Sequence, residues 1–316
     1  MTKLLQSLLI GAALATLVVA PVVAEAAPAQ PAVATGPKAM PKPVNSGHVE
    51  ANGVTYYYEV RGSGPPMLLL HGGLGSIDMF APVMADLAAS HTVISVDLQG
   101  HGRTALGDRP FTLEGQGADM ATILTKLGYD KVDVVGYSLG GGVAFQFAAQ
   151  NPSRVNRLVL VSAGYAQDGF YADMIKQQAQ VSAQAAPFMK DTPMYVSYMA
   201  LAPRPQDFPK LLDTLGAYMQ KPYDFSADVP KLTMPTMLVF GDSDMYRPEH
   251  EIKFFQMLGG GLRDAGWQRE HMSKNRLAIL PGRTHYDIFL SPELVSTVLT
   301  FIDDRETSRD WQAVNK

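Results

Sequence analysis

The residue with the clearest chemical potential is Ser138, which stands in the pattern Gly136-x-Ser138-x-Gly140. The mostly apolar residues 132–135 predict a buried strand before this pattern, and residues 139–150 predict a helix after it. A serine at the tip of so tight a turn has a strained backbone and an exposed hydroxyl, and the glycines keep neighbouring side chains from colliding there. The helix N-terminus also favours developing negative charge. The segment therefore predicts a serine nucleophile rather than a serine that merely caps the helix.

A glycine-rich loop at residues 71–75, His-Gly-Gly-Leu-Gly, follows the apolar residues 67–70, which predict another buried strand. The tetrahedral intermediate of acyl transfer needs backbone N–H donors aimed at its oxygen, and glycine lets a backbone come that close. We expect one donor from Leu139, directly after the nucleophile, and the other from Gly73 in this loop. These two residues form the predicted oxyanion hole.

A serine nucleophile needs a base, and the base needs a carboxylate that orients it. Of the seven histidines, His285 follows the last predicted strand, at the edge of the sheet where the serine turn also emerges. His250 and His271 lie in polar stretches that we expect to be exposed. We expect His71 to hold the shape of its own loop by hydrogen bonding. His285 is therefore the predicted base.

The orienting carboxylate should follow the strand predicted at residues 237–240, and both Asp242 and Asp244 do. We expect Asp244 to bond to His285, because it lies farther out on the loop and has room to turn. Asp242 is expected to hold the turn together through bonds to backbone groups. The predicted catalytic triad is Ser138, Asp244 and His285.

The elements that must position these residues alternate along the chain. Residues 48–60 predict a hairpin around Asn52-Gly53. Short apolar runs, typical of strands buried on both faces, follow at 67–70, 92–96, 132–135, 158–161, 237–240 and 277–280. Helix-like stretches lie at 79–89, 118–127, 139–150 and 293–302. This order predicts an α/β fold with a mostly parallel sheet of about eight strands, flanked by helices and edged by an antiparallel hairpin.

One long segment, residues 164–230, separates two predicted strands by far more than a crossover helix needs. It is helix-friendly and rich in Met, Tyr and Phe, and we expect a helical lid inserted after the sixth strand. Most of its aromatic side chains should pack the lid itself, but their excess suits a hydrophobic acyl or aryl group. The predicted substrate-binding residues are Leu74, Tyr137, Tyr165, Tyr198 and Met199.

The N-terminal residues predict export. Lys3 precedes a nearly continuous apolar stretch and small residues end it at Ala26, so residues 1–26 are a predicted signal peptide. The alternative is an uncleaved membrane anchor, because the apolar stretch nearly reaches spanning length. Residues 27–46 are rich in Ala and Pro and predict a flexible linker, so the folded domain is expected over 47–316. After cleavage we expect a periplasmic or secreted protein that is not inserted in a membrane.

The composition is that of a globular protein with a small-molecule partner. Apolar residues make up 47% of the chain and charged residues 18%, and a net charge of −4 without a long basic run argues against a nucleic-acid partner. Cysteine is absent, which excludes disulfides, thiolate metal sites and cysteine nucleophiles. The histidines do not cluster at ligand spacing and no dinucleotide fingerprint follows the first strand, so no metal or cofactor is expected. The polar insertion at 259–275 is expected to be a plain surface loop, and the alternative is that it edges the mouth of the active site.

A further stretch carries a family resemblance. It reads Asp97-x-x-Gly100-x-Gly102-x-Thr104. With the serine turn and the His-Gly-Gly loop, it resembles the α/β-hydrolase superfamily, in which a serine is more frequent at the last position. The resemblance covers residues 47–304 and points to the single-domain branch of carboxylesterases, enol-lactonases, non-metal haloperoxidase-like perhydrolases and epoxide hydrolases. It implies the α/β-hydrolase fold and the chain order Ser, Asp, His for the triad.

The resemblance implies the fold more firmly than the reaction. Epoxide hydrolases and haloalkane dehalogenases of this branch carry an aspartate at the position of Ser138, so their chemistry is disfavoured. We expect a carboxylic-ester hydrolase that acts on a small to medium, largely hydrophobic ester through an acyl-enzyme. A lactonase or a prolyl-aminopeptidase-like hydrolase is the alternative, although the segment 164–230 lacks an acidic cluster for a free amino terminus. The contrasting class is a catalytically silent hydrolase fold used for binding.

Overall fold

The computed structural model describes residues 39–304. The predicted signal peptide, most of the predicted linker and residues 305–316 lie outside the described residues. The strands of the described part are β1 (Asn45–Ala51), β2 (Val54–Arg61), β3 (Pro66–Leu70), β4 (Thr92–Val96), β5 (Val132–Tyr137), β6 (Val155–Val161), β7 (Thr236–Ser243) and β8 (Arg276–Thr284). The first strand begins two residues before the predicted start of the domain at residue 47.

These strands form one sheet in the order β1-β2-β4-β3-β5-β6-β7-β8. The β1–β2 and β2–β4 pairs are antiparallel, and all other neighbours are parallel. Asn52 and Gly53 join the first two strands with φ angles of 49° and 87°, as a two-residue hairpin turn requires. The predicted fold class, a mostly parallel sheet of eight strands with an antiparallel edge, is confirmed.

Helices cover both faces of the sheet. In the described part they are α1 (Ala81–Ala88), α2 (Leu113–Lys126), α3 (Leu139–Gln150), α4 (Ala172–Gln178), α5 (Pro193–Leu201), α6 (Phe208–Met219), α7 (Pro248–Met257) and α8 (Pro292–Ile302). Successive residues of β3 pack on opposite faces: Met67 and Leu69 belong to the core under α1 and α8, whereas Leu68 and Leu70 belong to the core under α2 and α3. Because both faces are buried, the strand is apolar without interruption.

Two helices depart from the prediction. α2 begins at Leu113 instead of residue 118, because the hydroxyl of Thr112 accepts a 3.0 Å hydrogen bond from the N–H of Gly115 and caps the helix there. α7 was not predicted, because its sequence is polar and it buries only a narrow stripe of side chains. That stripe includes His250. The prediction that His250 is exposed is therefore wrong, since its side chain is buried and its ring stacks on Tyr165 with the centroids 4.2 Å apart.

The segment between β6 and β7 contains α4, α5 and α6, together with several short 3-10 turns. Phe208, Leu211 and Leu215 of α6 form a small core of their own with Leu106 and Phe111. Leu74 of the glycine-rich loop and Leu139 after the predicted nucleophile pack against this core. The helical insertion therefore lies beside the segments that carry the predicted nucleophile and oxyanion hole.

The segment at 259–275 is mostly exposed, and its Leu262 and Trp267 have 66% and 84% of their surface accessible. It lies between α7 and β8, as the sequence indicated. Among residues 39–304, no helix combines the length and the apolar character needed to cross a membrane.

Candidate active site

Ser138 lies at a sharp turn between β5 and α3, in a backbone conformation that few residues other than glycine adopt. Its φ and ψ angles are 53° and −118°. Its N–H donates to the carbonyl of Val161 at 2.9 Å, and its own carbonyl accepts from the N–H of Gly142 at 3.0 Å. These bonds tie the strained residue to a neighbouring strand and to the first turn of α3. Such strain at one residue is characteristic of a site where the backbone must present a reactive side chain.

The glycines on either side of Ser138 are required by close packing of the backbone. A Cβ on Gly136 would lie 2.3 Å from the carbonyl oxygen of Gly140. A Cβ on Gly140 would lie 2.5 Å from the carbonyl oxygens of Leu70 and His71. No larger residue fits at either position without moving α3 away from the sheet. The turn thus depends on both glycines of the pattern.

The three residues of the predicted triad meet at the carboxyl edge of the sheet. Nε2 of His285 lies 2.9 Å from the hydroxyl oxygen of Ser138, and Nδ1 lies 3.0 Å from Oδ1 of Asp244. Both His285 and Asp244 are buried. The serine comes from the β5–α3 turn, the aspartate from the end of β7 and the histidine from the end of β8. This arrangement can take a proton from the serine hydroxyl and stabilise the positive charge that forms on the imidazole.

Asp244 is fixed by bonds to more than the histidine. Its Oδ2 accepts from the hydroxyl of Ser162 at 2.5 Å, and its Oδ1 accepts from the N–H of Met245 at 2.7 Å. Burial alone would raise the pKa of Asp244, but the bonds from His285 and Ser162 outweigh burial and hold that pKa below its usual range. The carboxylate is therefore charged where the imidazole needs a negative partner.

Ser162 was not singled out in the sequence. It directly follows β6, the neighbour of β7 in the sheet, and is fully buried with a φ of 50°. A polar residue at the end of the adjacent parallel strand is the signal that could have found it, because the carboxyl ends of neighbouring strands meet at one edge.

Asp242 lies near Asp244 in sequence but is exposed and accepts a bond from the N–H of Gly282 at 3.0 Å. It links the ends of β7 and β8, as the prediction of a structural role requires.

Tyr137 contacts both the backbone and the ring of His285. Its hydroxyl donates to the carbonyl of His285 at 2.5 Å, and its ring packs against those of His285 and Phe289 with centroids 5.4 and 4.9 Å away. Burial raises the pKa of this phenol, which therefore remains a hydrogen-bond donor. Gly72 is needed beside it, because a Cβ there would lie 2.7 Å from the Tyr137 ring. The residue before the nucleophile thus positions the backbone of the base.

The glycine-rich loop is held by its own histidine. Nδ1 of the buried His71 lies 2.8 Å from the carbonyl of Gly72, and Nε2 accepts from the N–H of Leu98 at 3.0 Å. Burial lowers the pKa of His71 to about 4, so the ring is neutral near pH 7 and suits these two bonds. The structure therefore supports the predicted role of His71 in shaping the loop. Gly73 and Leu139 both line the cavity that contains Ser138, and their N–H groups remain the predicted oxyanion donors.

The stretch from Asp97 to Thr104 is hydrogen-bonded to the glycine-rich loop and to the residues that follow it. Asp97 accepts from the N–H of Ile77 at 2.7 Å and from the N–H of Arg103 at 2.8 Å. Burial raises the pKa of Asp97 to about 6, although these bonds act in the opposite direction. Thr104 donates to the carbonyl of Asp97 at 2.6 Å and accepts from the N–H of Tyr57, so the threonine hydroxyl at the last position of the motif joins this loop to β2.

A cavity of about 920 Å³ opens above Ser138 and His285. The sheet edge and the insertion both contribute to its wall, which is mostly apolar. The apolar side chains of this wall include Leu74, Met79, Pro82, Leu113, Phe170, Met194, Leu215, Met219, Met245, Phe289 and Leu290. Two of the predicted substrate-binding residues, Leu74 and Tyr137, line this cavity.

The other three predicted substrate-binding residues do not line it, and those predictions are wrong. Tyr165 is buried against His250, and Tyr198 is buried against Phe208 with the ring centroids 5.1 Å apart. Met199 faces a separate cavity of about 370 Å³ within the insertion. The insertion needs its own core, and these side chains serve it. Tyr218 and Tyr223 of the same insertion line the large cavity instead.

A family model for the α/β-hydrolase fold matches residues 65–195, which include Ser138 and the glycine-rich loop. The chain has the α/β-hydrolase fold. Among solved structures, this chain is similar to carboxylesterase CesB from Bacillus subtilis, with a TM-score of 0.62 and 19% identity over 83% of this chain and 93% of that one. At this identity, the likeness concerns the fold alone.

Curated relatives match over shorter spans. An uncharacterized protein of Mycobacterium tuberculosis is 43% identical over 107 residues, which are 34% of this chain and 31% of that protein. A soluble epoxide hydrolase from a Corynebacterium species is 39% identical over 110 residues, 35% of this chain and 38% of the relative. The chain therefore spans about a third of the length of these curated relatives.

Proposed function

We propose that this α/β-hydrolase cleaves carboxylic esters through an acyl-enzyme formed on Ser138. The observation that carries this proposal is the continuous set of contacts from Ser138 through His285 to Asp244, at 2.9 and 3.0 Å. The oxygen of Ser138 attacks the ester carbonyl while its proton passes to Nε2 of His285. The resulting oxyanion accepts bonds from the N–H groups of Gly73 and Leu139.

The second half of the reaction uses the same groups. His285 gives its proton to the departing alcohol, and the acyl group stays on Ser138. Water then attacks the acyl carbon as His285 accepts one of its protons, and that proton returns to the serine oxygen when the acid leaves. Asp244 stabilises the imidazolium in both halves, with Ser162 and Met245 holding the carboxylate in place.

The substrate class follows from the cavity wall. A volume of about 920 Å³ with mostly apolar lining suits a small to medium, largely hydrophobic ester. The insertion acts as a lid in this proposal, because its helices supply one wall of the cavity. A lactone is the nearest alternative substrate, since its chemistry is the same and only the shape of the pocket distinguishes it from an open ester.

Two other reactions fit less well. An aminopeptidase needs carboxylates for a free amino terminus, and in the described chain the one carboxylate that lines the cavity, Asp78, is paired with Arg103 at 2.8 Å. Epoxide opening, the activity for which the Corynebacterium relative is named, uses an aspartate nucleophile in the epoxide hydrolases that this chain resembles. This chain has Ser138 at that position.

The experiment measures hydrolysis of p-nitrophenyl esters of graded acyl length, with a lactone and an amide beside them. The wild type should cleave esters, and Ser138→Ala should lower kcat by at least roughly a thousandfold. Ser296→Ala, an exposed serine on α8, is the matched control and should behave as wild type. If the wild type cleaves no ester and a fluorophosphonate does not label it, the ester-hydrolase proposal fails in favour of a silent hydrolase fold.

A further inference from the structure

The insertion carries uncharged polar side chains on the wall of the large cavity. Gln178 of α4, Ser197 of α5 and Tyr218 of α6 all line it. All three side chains are partly buried. Within residues 39–304, none of their polar side-chain atoms forms a hydrogen bond with another residue. Three helices thus each offer the cavity one uncommitted neutral polar group.

The other polar groups on this wall are already engaged or face water. The Asp78 carboxylate accepts from Arg103, the Tyr137 hydroxyl donates to the carbonyl of His285, and the side-chain amide of Gln167 donates to the carbonyl of Met219 at 2.7 Å. The Tyr223 hydroxyl lies close enough to that of Tyr246 for the two to interact. Tyr286 at the mouth is 65% exposed, where water competes for its hydroxyl. The uncommitted groups are therefore concentrated on the side of the insertion.

Unpaired polar groups in a mostly apolar cavity are a source of selectivity. A ligand without a complementary group displaces the water that bonds to these polar groups and leaves them without hydrogen-bond partners. A ligand that can bond to them replaces the lost water and avoids this cost. A charged ligand group gains less, because the described wall offers it no unpaired charge of opposite sign. The Asp78 carboxylate on that wall is already paired with Arg103.

We propose that Gln178, Ser197 and Tyr218 form a subsite for an uncharged hydrogen-bonding group of the substrate, such as a ketone, hydroxyl or amide, at a distance from the ester bond. This inference rests on the proposed ester hydrolysis and narrows its substrate class. The substrate is an ester with an apolar chain that ends in a neutral polar group. The neutral polar group is carried by the acyl part or by the alcohol part of the ester, according to which of the two lies against the insertion.

The test compares matched esters with the full-length enzyme. One arm pairs p-nitrophenyl hexanoate with its analogue that has a ketone near the chain end. The other arm pairs hexyl acetate with the corresponding keto alcohol acetate. In one arm, the ketone should raise kcat/KM by roughly two- to tenfold, the range expected for neutral hydrogen bonds. The arm that responds identifies the half of the substrate that occupies the subsite. A terminal carboxylate in place of the ketone should lower kcat/KM.

Variants assign the effect to residues. Gln178→Leu, Ser197→Ala and Tyr218→Phe should each reduce the ratio of kcat/KM between the ketone ester and the plain ester. Gln177→Leu, an exposed neighbour on α4 that does not line the cavity, is the matched control and should keep the wild-type ratio. If the esters are cleaved, no preference in either arm, or an unchanged ratio in all three variants, would overturn the subsite.

A binding measurement separates the subsite from the chemistry. Calorimetry with Ser138→Ala and the non-hydrolysable ether analogues of the same pairs should show tighter binding of the ketone ether. If the wild type cleaves no ester but this binding difference is present, the proposed function fails and the subsite stands. If esters are cleaved but the two ethers bind equally well, the subsite fails and the proposed function stands.

Discussion

The sequence did not indicate Ser162, whose hydroxyl donates a hydrogen bond to the carboxylate of Asp244. In Ser162→Ala, Asp244 loses one of the bonds that outweigh burial in setting its low pKa. A hydrogen bond to a charged group contributes about 1.5–3 kcal/mol, so we expect kcat to fall by roughly tenfold or more while KM changes little. Steady-state kinetics on a p-nitrophenyl ester measures both.

The control for this prediction is Ser243→Ala. Ser243 lies at the end of β7, is exposed and bonds only weakly to Asp242 at 3.4 Å. It should retain wild-type kinetics. Equal losses in both variants would mean that the hydroxyl of Ser162 has no special part in orienting Asp244.

The role of a single residue could be predicted only where a local sequence motif marks it. Ser138 has one in its flanking glycines, and His285 and Asp244 follow strands that neighbour one another in the sheet. Tyr165, Tyr198 and Met199 have none. An aromatic or methionine side chain on a short helix can face a core or a cavity, and only the packing of the insertion decides which. Ser162 was missed because no local motif marks it, although it directly follows the strand next to β7 and bonds to Asp244 there.

Helix α3 can pack closely against strand β3 because residue 140 is a glycine. A Cβ there would meet two backbone carbonyls at 2.5 Å, and backbone atoms cannot rotate away as a side chain can. We expect Gly140→Ala to lower the free energy of unfolding by about 1–3 kcal/mol or more and to abolish activity. In Gly73→Ala, the nearest atoms to the new Cβ are 3.9 Å away, so its stability should match wild type. Urea denaturation compares the two, and equal stability would contradict the packing account.

Helix α7 contains a buried carboxyl group, Glu251, beside the triad. Burial first, and then the charges of Asp244 and Glu249, raise the pKa of Glu251 to about 8. The folded state therefore binds a proton between about pH 4.5 and pH 8 that the unfolded state releases, so this group's contribution to stability is present at low pH and is lost as pH rises through 8.

Glu251→Gln should remove this pH dependence. Its Tm should be close to that of wild type at pH 5 and above it at pH 9, because the buried amide carries no charge to desolvate. Glu114→Gln, an exposed carboxyl residue of α2 that does not contribute to the pKa of Glu251, is the control. A Tm difference that stays constant from pH 5 to pH 9 would show that Glu251 does not titrate in this range.

For the whole molecule, the alternation of strands and helices was sufficient to predict the sheet, because buried parallel strands are apolar on both faces. α7 was missed because a helix at the edge buries only one narrow stripe. The start of α2 was missed because the capping threonine lies before any apolar repeat. Export stays a prediction, and the N-terminal peptide mass of protein recovered outside the cytoplasm would test it.

The central claim concerns a covalent intermediate on one serine. The most direct measurement treats wild type and Ser138→Ala with a fluorophosphonate, and then with a slowly hydrolysed ester, and maps the modified peptide by mass spectrometry. We predict one adduct on the peptide that contains Ser138 in wild type and none in Ser138→Ala. An adduct on another residue, or ester turnover that persists in Ser138→Ala, would contradict the account.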